Sequence, residues 1–369
     1  MMSPNLMSGN DRDYADIGGQ ALPPPNVCDY VILDIHMNST MGYSLLNYDF
    51  LRSMTPTSKL LFTIGPQNPQ NPRHLLHLKD VIMHPDFRST ATYLYNNMCV
   101  RGFGILNFKY GTYGQNLVES LDKIIDLYKE LSRSLFRAGY AEITNFITIQ
   151  SSRLVEGKDE TLFYTRLNGV VEFIVSETFS LRGRPCSVEG VSSFTARGCY
   201  TYDAHASPSV IDSLNRMLNV PNGRSTFVLS LNLQAIQYTK RSSSTSMRSP
   251  FLFQNCTGKT YPRFEETCYV NAFHASALPL HQTFRSLPDI CHFVEHPTYV
   301  YAYETDESLK IKAKTFKIVQ QKNTGPKITW LVYNLTKNSD HVLCGGVHHR
   351  LMKIRTTFDD LPWKQQTGK

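Results

Sequence analysis

Residues 101–108 read Arg-Gly-Phe-Gly-Ile-Leu-Asn-Phe, and how this octapeptide is placed decides the fold. Successive residues of a strand face opposite sides, so Arg101, Phe103 and Ile105 share one face and Gly102, Gly104, Leu106 and Phe108 the other. Glycine on the inward face lets a helix approach closely, and Phe108 adds core. Downstream, QNLVESLDKIIDLYKELSRSLFR (115–137) places apolar residues at 117, 118, 121, 124, 125, 128, 131 and 135, one face of a helix. Gly139 is its stop, and EITNFITIQ (142–150) has the β-branched and aromatic residues of a strand. Upstream, LLFTIG (60–65) reads as a strand leading into a helix over 73–83, with Leu75, Leu78 and Ile82 on one face.

The same order recurs. LFYTRL (162–167) reads as a strand, VVEFIVSETFSL (170–181) as a helix, and CSVEGV (186–191) and ARGCYTYD (196–203) as strands. SPSVIDSLNRML (207–218) follows as a helix capped by Ser207 with Pro208 in its first turn, and TFVLSLNLQ (226–234) as a strand. A third pass runs through CYVNAF (268–273), a helix around 278–287, TYVYAYE (298–304), DESLKIKAKTF (306–316) and KITWLVY (327–333). Residues 306–316 fit a helix, with Leu309, Ala313 and Phe316 on one face. They also fit a hairpin that ladders Tyr299, Tyr301 and Tyr303 against Lys314, Lys312 and Lys310. The order β-α-β-β-α-β, read three times, gives an α+β chain of tandem ferredoxin-like domains.

This order, with RGFGILNF on its third strand, resembles the RNA recognition motif (RRM) family, whose octapeptide is Lys/Arg-Gly-Phe/Tyr-Gly/Ala-Phe-Val-x-Phe/Tyr. Arg101, Gly102, Phe103, Gly104 and Phe108 match it, and Ile105 replaces the central aromatic. Phe62, Phe163 and Tyr269 occupy the aromatic place of the partner hexapeptide. The resemblance implies an open sheet face that binds single-stranded RNA through Phe62, Arg101, Phe103, Ile105, Phe163, Arg197 and Tyr269. Bases would stack on the rings and Arg101 would meet a phosphate. It implies protein partners for the second and third units, whose third strands lack paired aromatics.

The expected organisation is an N-terminal arm without periodicity (1–27), an extra hairpin or degraded unit (28–57), and RRM-like domains at 58–150, 160–236 and 263–336. A Ser-rich linker (237–262) and a basic extension (337–369) complete it. Composition is globular: 41% hydrophobic and 19% charged residues in 369, with no apolar run long enough to span a membrane. Residues 240–369 hold 18 Lys/Arg against 10 Asp/Glu, so all of the formal +7 charge resides there and favours a polyanion partner.

The N-terminus is polar and acidic where a secretory signal carries an apolar segment, so the expected location is intracellular, nucleus or cytoplasm. The eight cysteines are then expected as free thiols, and the sequons at Asn38, Asn255 and Asn334 carry no meaning in a reducing compartment. No enzyme motif stands out. Asp203, His205 and Ser207 read as a strand end and a helix cap, and Cys344 lacks a positioned base. Cys291, His296, Cys344 and His348 lack the spacing of a zinc finger. The expectation is a non-enzymatic RNA-binding protein without cofactor or metal. The alternatives are an assembly protein such as a viral capsid or matrix subunit, and a hydrolase using Cys344 or Asp203/His205.

Overall fold

The computed structural model describes residues 2–3, 28–33, 59–64, 72–109, 117–150, 157–178, 186, 188, 210–221, 224–233, 235–241, 256–260, 282–286, 291–295, 298–304, 306–321, 326–333, 352 and 354–356. They divide into two compact units. One is made of Met1–Glu177, Asn215–Ser230 and Pro326–Thr336; the other of Thr178–Leu214, Leu231–Gly325 and Lys337–Lys369.

The first unit is a barrel of parallel strands. The strands are β1 (Met2–Ser3), β2 (Tyr30–Leu33), β3 (Lys59–Thr63), β4 (Val100–Lys109), β5 (Phe146–Gln150), β6 (Phe173–Glu177), β7 (Thr226–Asn232) and β13 (Ile328–Tyr333). Seven of them run side by side in the order β2-β3-β4-β5-β6-β7-β13, and the two-residue β1 closes the ring between β13 and β2. Parallel neighbours need a crossover. Here the crossovers are α1 (Pro72–Met83) and α2 (Pro85–Met98) between β3 and β4, α3 (Leu117–Arg137) between β4 and β5, and α4 (Gly157–Leu167) between β5 and β6. The helix α5 (Val210–Leu218) precedes β7.

This corrects the tandem ferredoxin-like, RRM-type reading. That order needs a strand beside RGFGILNF which returns antiparallel; the chain instead forms α2, and β4 pairs parallel to β3 with Leu61 opposite Gly102. The helix α2 is started by Pro85, while the Asp86 amide donates to His84 Nδ1 at 3.3 Å. It buries Phe87, Ala91, Leu94 and Met98 and ends at Cys99 in the left-handed region, φ +52°. The second unit of the repeat is inverted: 162–167 lies in α4 rather than a strand, and 173–177 is β6 rather than a helix. FIVSE is buried on both faces but for its first residue, which is why its apolar run carries no period-2 signal.

The helix α3 matches the periodic stretch, burying Leu121, Ile124, Tyr128, Leu131 and Leu135, and Gly139 takes φ +89° just after it. Its Tyr128 hydroxyl is fully buried. It donates to the Phe146 carbonyl at 2.5 Å and accepts from the Ile105 amide at 3.2 Å, bridging β4 and β5 beside a register shift. Burial pushes the phenol pKa well above its ordinary value. Tyr128→Phe leaves that carbonyl and amide without their partner and is expected to cost about 2 kcal/mol in chemical denaturation.

The second unit holds an antiparallel sheet of β8 (Ile236–Lys240), β9 (Cys256–Thr260), β10 (Gln282–Ser286), β11 (Cys291–Glu295) and β12 (Tyr299–Tyr303), in the order β10-β11-β12-β8-β9, and α6 (Asp306–Gln321). So 306–316 is helical and not a hairpin, while 282–286, expected within a helix, is a strand. Ile236, Tyr238, Phe293, Val300 and Ala302 pack with Val188, and Cys186 and Cys256 form a disulfide against them. Free thiols are therefore the wrong expectation for this pair, although Cys28 and Cys99 form no disulfide.

Glu304 and Lys312 form an ion pair with both side chains fully buried, and Ser308 Oγ donates to the same carboxylate at 2.6 Å. Removing one member of such a pair strands a desolvated charge. Lys312→Met is expected to cost about 3 kcal/mol, and adding Glu304→Gln should recover part of that loss in a double-mutant cycle read by urea melts.

Candidate active site

Side-chain direction in the barrel follows from contacts on each strand. Phe103 packs against Phe87 of α2, Phe108 stacks on Phe163 of α4, and Phe227 meets Tyr164 of α4. These rings fill the layer between strands and helices. Ser176 also faces outward, donating to Glu160 of α4 at 3.5 Å. Glu160 is itself buried and is held by the Tyr164 hydroxyl and by an ion pair with Arg216 of α5.

The residues between them on each strand line the interior. At the N-terminal end Tyr30 of β2 and Phe173 of β6 meet edge to face at 5.1 Å and plug the barrel. Above Phe173 on the same face come Val175 and then Glu177. On β5 the column is Phe146, Thr148; on β3 it is Leu61, Thr63; on β7 it is Val228, Ser230. Each column turns from apolar to polar toward the C-terminal end of its strand. Thr63, Thr148, Glu177 and Ser230 are all buried at 1% exposure or less.

Among the described residues on these columns, Glu177 supplies the carboxyl group. It is fully buried, and Thr148 Oγ1 donates to its Oε1 at 2.6 Å, across from β5. The strand register sets Lys109, Gln150 and Glu177 at one level on β4, β5 and β6. The β4 stretch VRGFGILNFK has no acidic residue. A buried carboxyl demands a polar partner, which Thr148 supplies, and a barrel of this kind places its chemistry at the C-terminal ends of the strands.

None of the residues expected to bind RNA belongs to this group. Phe62, Phe103 and Phe163 are fully buried and Ile105 nearly so, beneath helices rather than on an open face. Arg101 is half-buried at the opposite, N-terminal end, its guanidinium 4.3 Å over the Tyr95 ring. Arg197 and Tyr269 lie outside the described residues, as do Asp203, His205, Cys344, His296 and His348. Among the described residues no cluster of His, Cys, Asp or Glu could hold a metal ion, and no helix is long and apolar enough to cross a membrane. The readable signal for Thr148 and Glu177 was the ending of two otherwise apolar strands, FITIQ and FIVSE, in polar residues.

No family model matches the sequence, and no curated protein is similar to it. Solved structures are. The Group IV chitinase of Ostrinia furnacalis in complex with allosamidin superposes with a TM-score of 0.68 at 12% identity, over 92% of this chain and 93% of that one. Catalytic domain 2 of the Group II chitinase of the same species gives 0.67 at 13%, covering 93% and 91%. The Cycas revoluta GH18 chitinase in complex with (GlcNAc)3 gives 0.61 at 10%, covering 89% and 92%. These likenesses overturn the RRM family and its ferredoxin-like fold, and the non-enzymatic RNA-binding reading, its RNA partner and its two alternatives lose the fold on which they stood. The chain has the barrel fold of chitinase catalytic domains.

Proposed function

We propose that the chain binds an oligosaccharide of N-acetylated amino sugars at the C-terminal end of its barrel and cleaves it with Glu177 as the proton-transferring group. The observation that carries this reading is the buried Glu177 carboxyl, held by Thr148 inside the polar end of the barrel. The similarity to chitinases, one of them solved with (GlcNAc)3, supports the class of ligand.

Most glycoside hydrolases use two carboxyl groups, but a 2-acetamido group on the sugar can itself replace one of them. One carboxyl group, Glu177, then suffices for the proton transfers. The Glu177 acid gives its proton to the glycosidic oxygen as the bond from that oxygen to the anomeric carbon breaks. The acetamide oxygen bonds to the anomeric carbon as the leaving group departs. Water then attacks the same carbon, Glu177 recovers a proton from it, and the acetamide is released. Thr148 fixes the carboxyl orientation by donating to one of its oxygens.

The test is turnover of a chito-oligosaccharide by the full chain, with products resolved by mass, beside calorimetric titration of the trisaccharide. Cleavage that depends on Glu177 supports the reading. Absence of both binding and cleavage by the folded chain overturns it.

A further inference from the structure

We propose that Arg101, seated over Tyr95 at the N-terminal end of the barrel, is the receptor for a small carboxylate ion. The site stands at the other end of the barrel from Glu177, so the inference goes beyond oligosaccharide cleavage and does not depend on it. Among the described residues expected to bind RNA, Arg101 alone is not buried.

The head group is held in place. The Thr144 amide donates to the Arg101 carbonyl at 2.9 Å, which fixes the backbone. The guanidinium carbon lies 4.3 Å from the centre of the Tyr95 ring, and that ring packs on Tyr140 at 4.3 Å. Both rings are pinned by their hydroxyls: Tyr95 accepts from the Ala141 amide at 3.3 Å, and Tyr140 donates to the Ala91 carbonyl at 3.0 Å. A guanidinium oriented in this way has little side-chain freedom left to lose on binding. It is also unpaired. Its Nη1 is buried without a hydrogen-bond partner. Glu142, near enough to feel its charge, is taken by Lys59 at 3.0 Å. A permanent cation that has given up part of its water and gained no acceptor is costly, and an anion beside it offsets that cost. The residue is half-buried rather than sealed, so an ion can reach it from solvent.

Charge and shape select the class of ligand. Arg101 and Lys59 carry two positive charges against one negative charge on Glu142, whose carboxyl the Lys59 hydrogen bond holds below the usual carboxylate range. The single net positive charge suits a monoanion, and a dianion would be repelled by Glu142 more strongly. The planar fork suits a carboxylate, which it can meet through two parallel N–H···O bonds.

The experiment is saturation-transfer NMR on the full chain, read at the methyl protons of acetate as it is titrated in at constant ionic strength set with sodium chloride. Sodium sulfate serves as a dianionic competitor, and melting curves verify that each variant is folded. The expected result for wild type is saturable transfer, half complete at about 10 mM acetate or below. Arg101→Lys keeps the charge but not the fork and is expected to weaken binding at least about tenfold. Glu142→Gln leaves the head group in place, removes the competing charge, and is expected to tighten binding. Absence of saturable transfer in folded wild type overturns the proposal, and so does equal half-saturation in folded Arg101→Lys. Displacement of acetate by sulfate at a lower concentration than acetate itself requires overturns the choice of a monoanion. Should Arg101→Lys fail to fold, Glu142→Gln decides: binding that it leaves unchanged or weakens overturns the site, and tighter binding supports it.

Discussion

Gly104→Ala is expected to cost about 4 kcal/mol or more, enough to abolish cooperative folding in a protein of ordinary stability. An alanine methyl placed there would lie 2.0 Å from the Phe146 carbonyl oxygen and 2.6 Å from two carbons of the Phe146 ring. The oxygen belongs to β5 and is also the acceptor for Tyr128, so it cannot move without opening the β4–β5 ladder. The ring fills the barrel interior. Overpacking of a side chain against flexible neighbours costs about 1–3 kcal/mol, and here the obstacle is backbone on one side and a packed aromatic on the other. Gly102 stands in the same relation to Thr144, at 1.9 Å. Thermal or urea unfolding, with expression of soluble protein as the first readout, checks the prediction. A Gly104→Ala protein that melts with wild type would mean that β4 and β5 are not packed as described.

Glu177→Gln is expected to lower the rate of oligosaccharide cleavage at least about 100-fold while leaving the fold and the binding of the trisaccharide close to wild type. Glutamine keeps the volume and still accepts the Thr148 hydrogen bond through its amide oxygen, so a packing change is not the cause of any loss. It cannot give or take the proton. The measurement is product formation under single-turnover conditions beside a melting curve and a binding titration on the same preparation. Equal turnover by the variant contradicts the role assigned to Glu177.

The local structure was more legible than its assembly. The α3 periodicity, the stop at Gly139, the strands at 60, 101, 146, 226 and 328, and the apolar face of α6 all follow from spacing and composition. The assembly depended on two segments that periodicity describes badly. One is 84–98, where α2 begins on a proline and spaces its apolar residues at 87, 91, 94 and 98 among Tyr, Asn and Thr. The other is 162–177, where a short amphipathic helix and a buried parallel strand exchanged identities. With α2 present and that pair restored, the order becomes strand, helix, strand, helix, which calls for a parallel sheet rather than a split one.

The RGFG of β4 misled for a related reason. Its glycines are demanded by the approach of the backbone at Thr144 and Phe146, not by a helix, and its Phe103 by packing on α2, not by a base. The site was hidden because Thr148 and Glu177 are 29 residues apart and meet only when β5 and β6 pair. No local motif encodes that. What the sequence did carry is the rise of polarity along each strand, from Phe146 to Thr148 and from Phe173 to Glu177, once both are known to face inward.

The most direct test of the central claim is calorimetric titration of the full-length protein with an N-acetylglucosamine trisaccharide, repeated with a Thr148→Val/Glu177→Leu double variant whose folding is verified by melting. The account predicts saturable one-to-one binding by wild type and its loss in the folded double variant, because the carboxyl group and the hydroxyl that holds it would then be gone. Binding that is absent in wild type, or unchanged in the double variant, contradicts it.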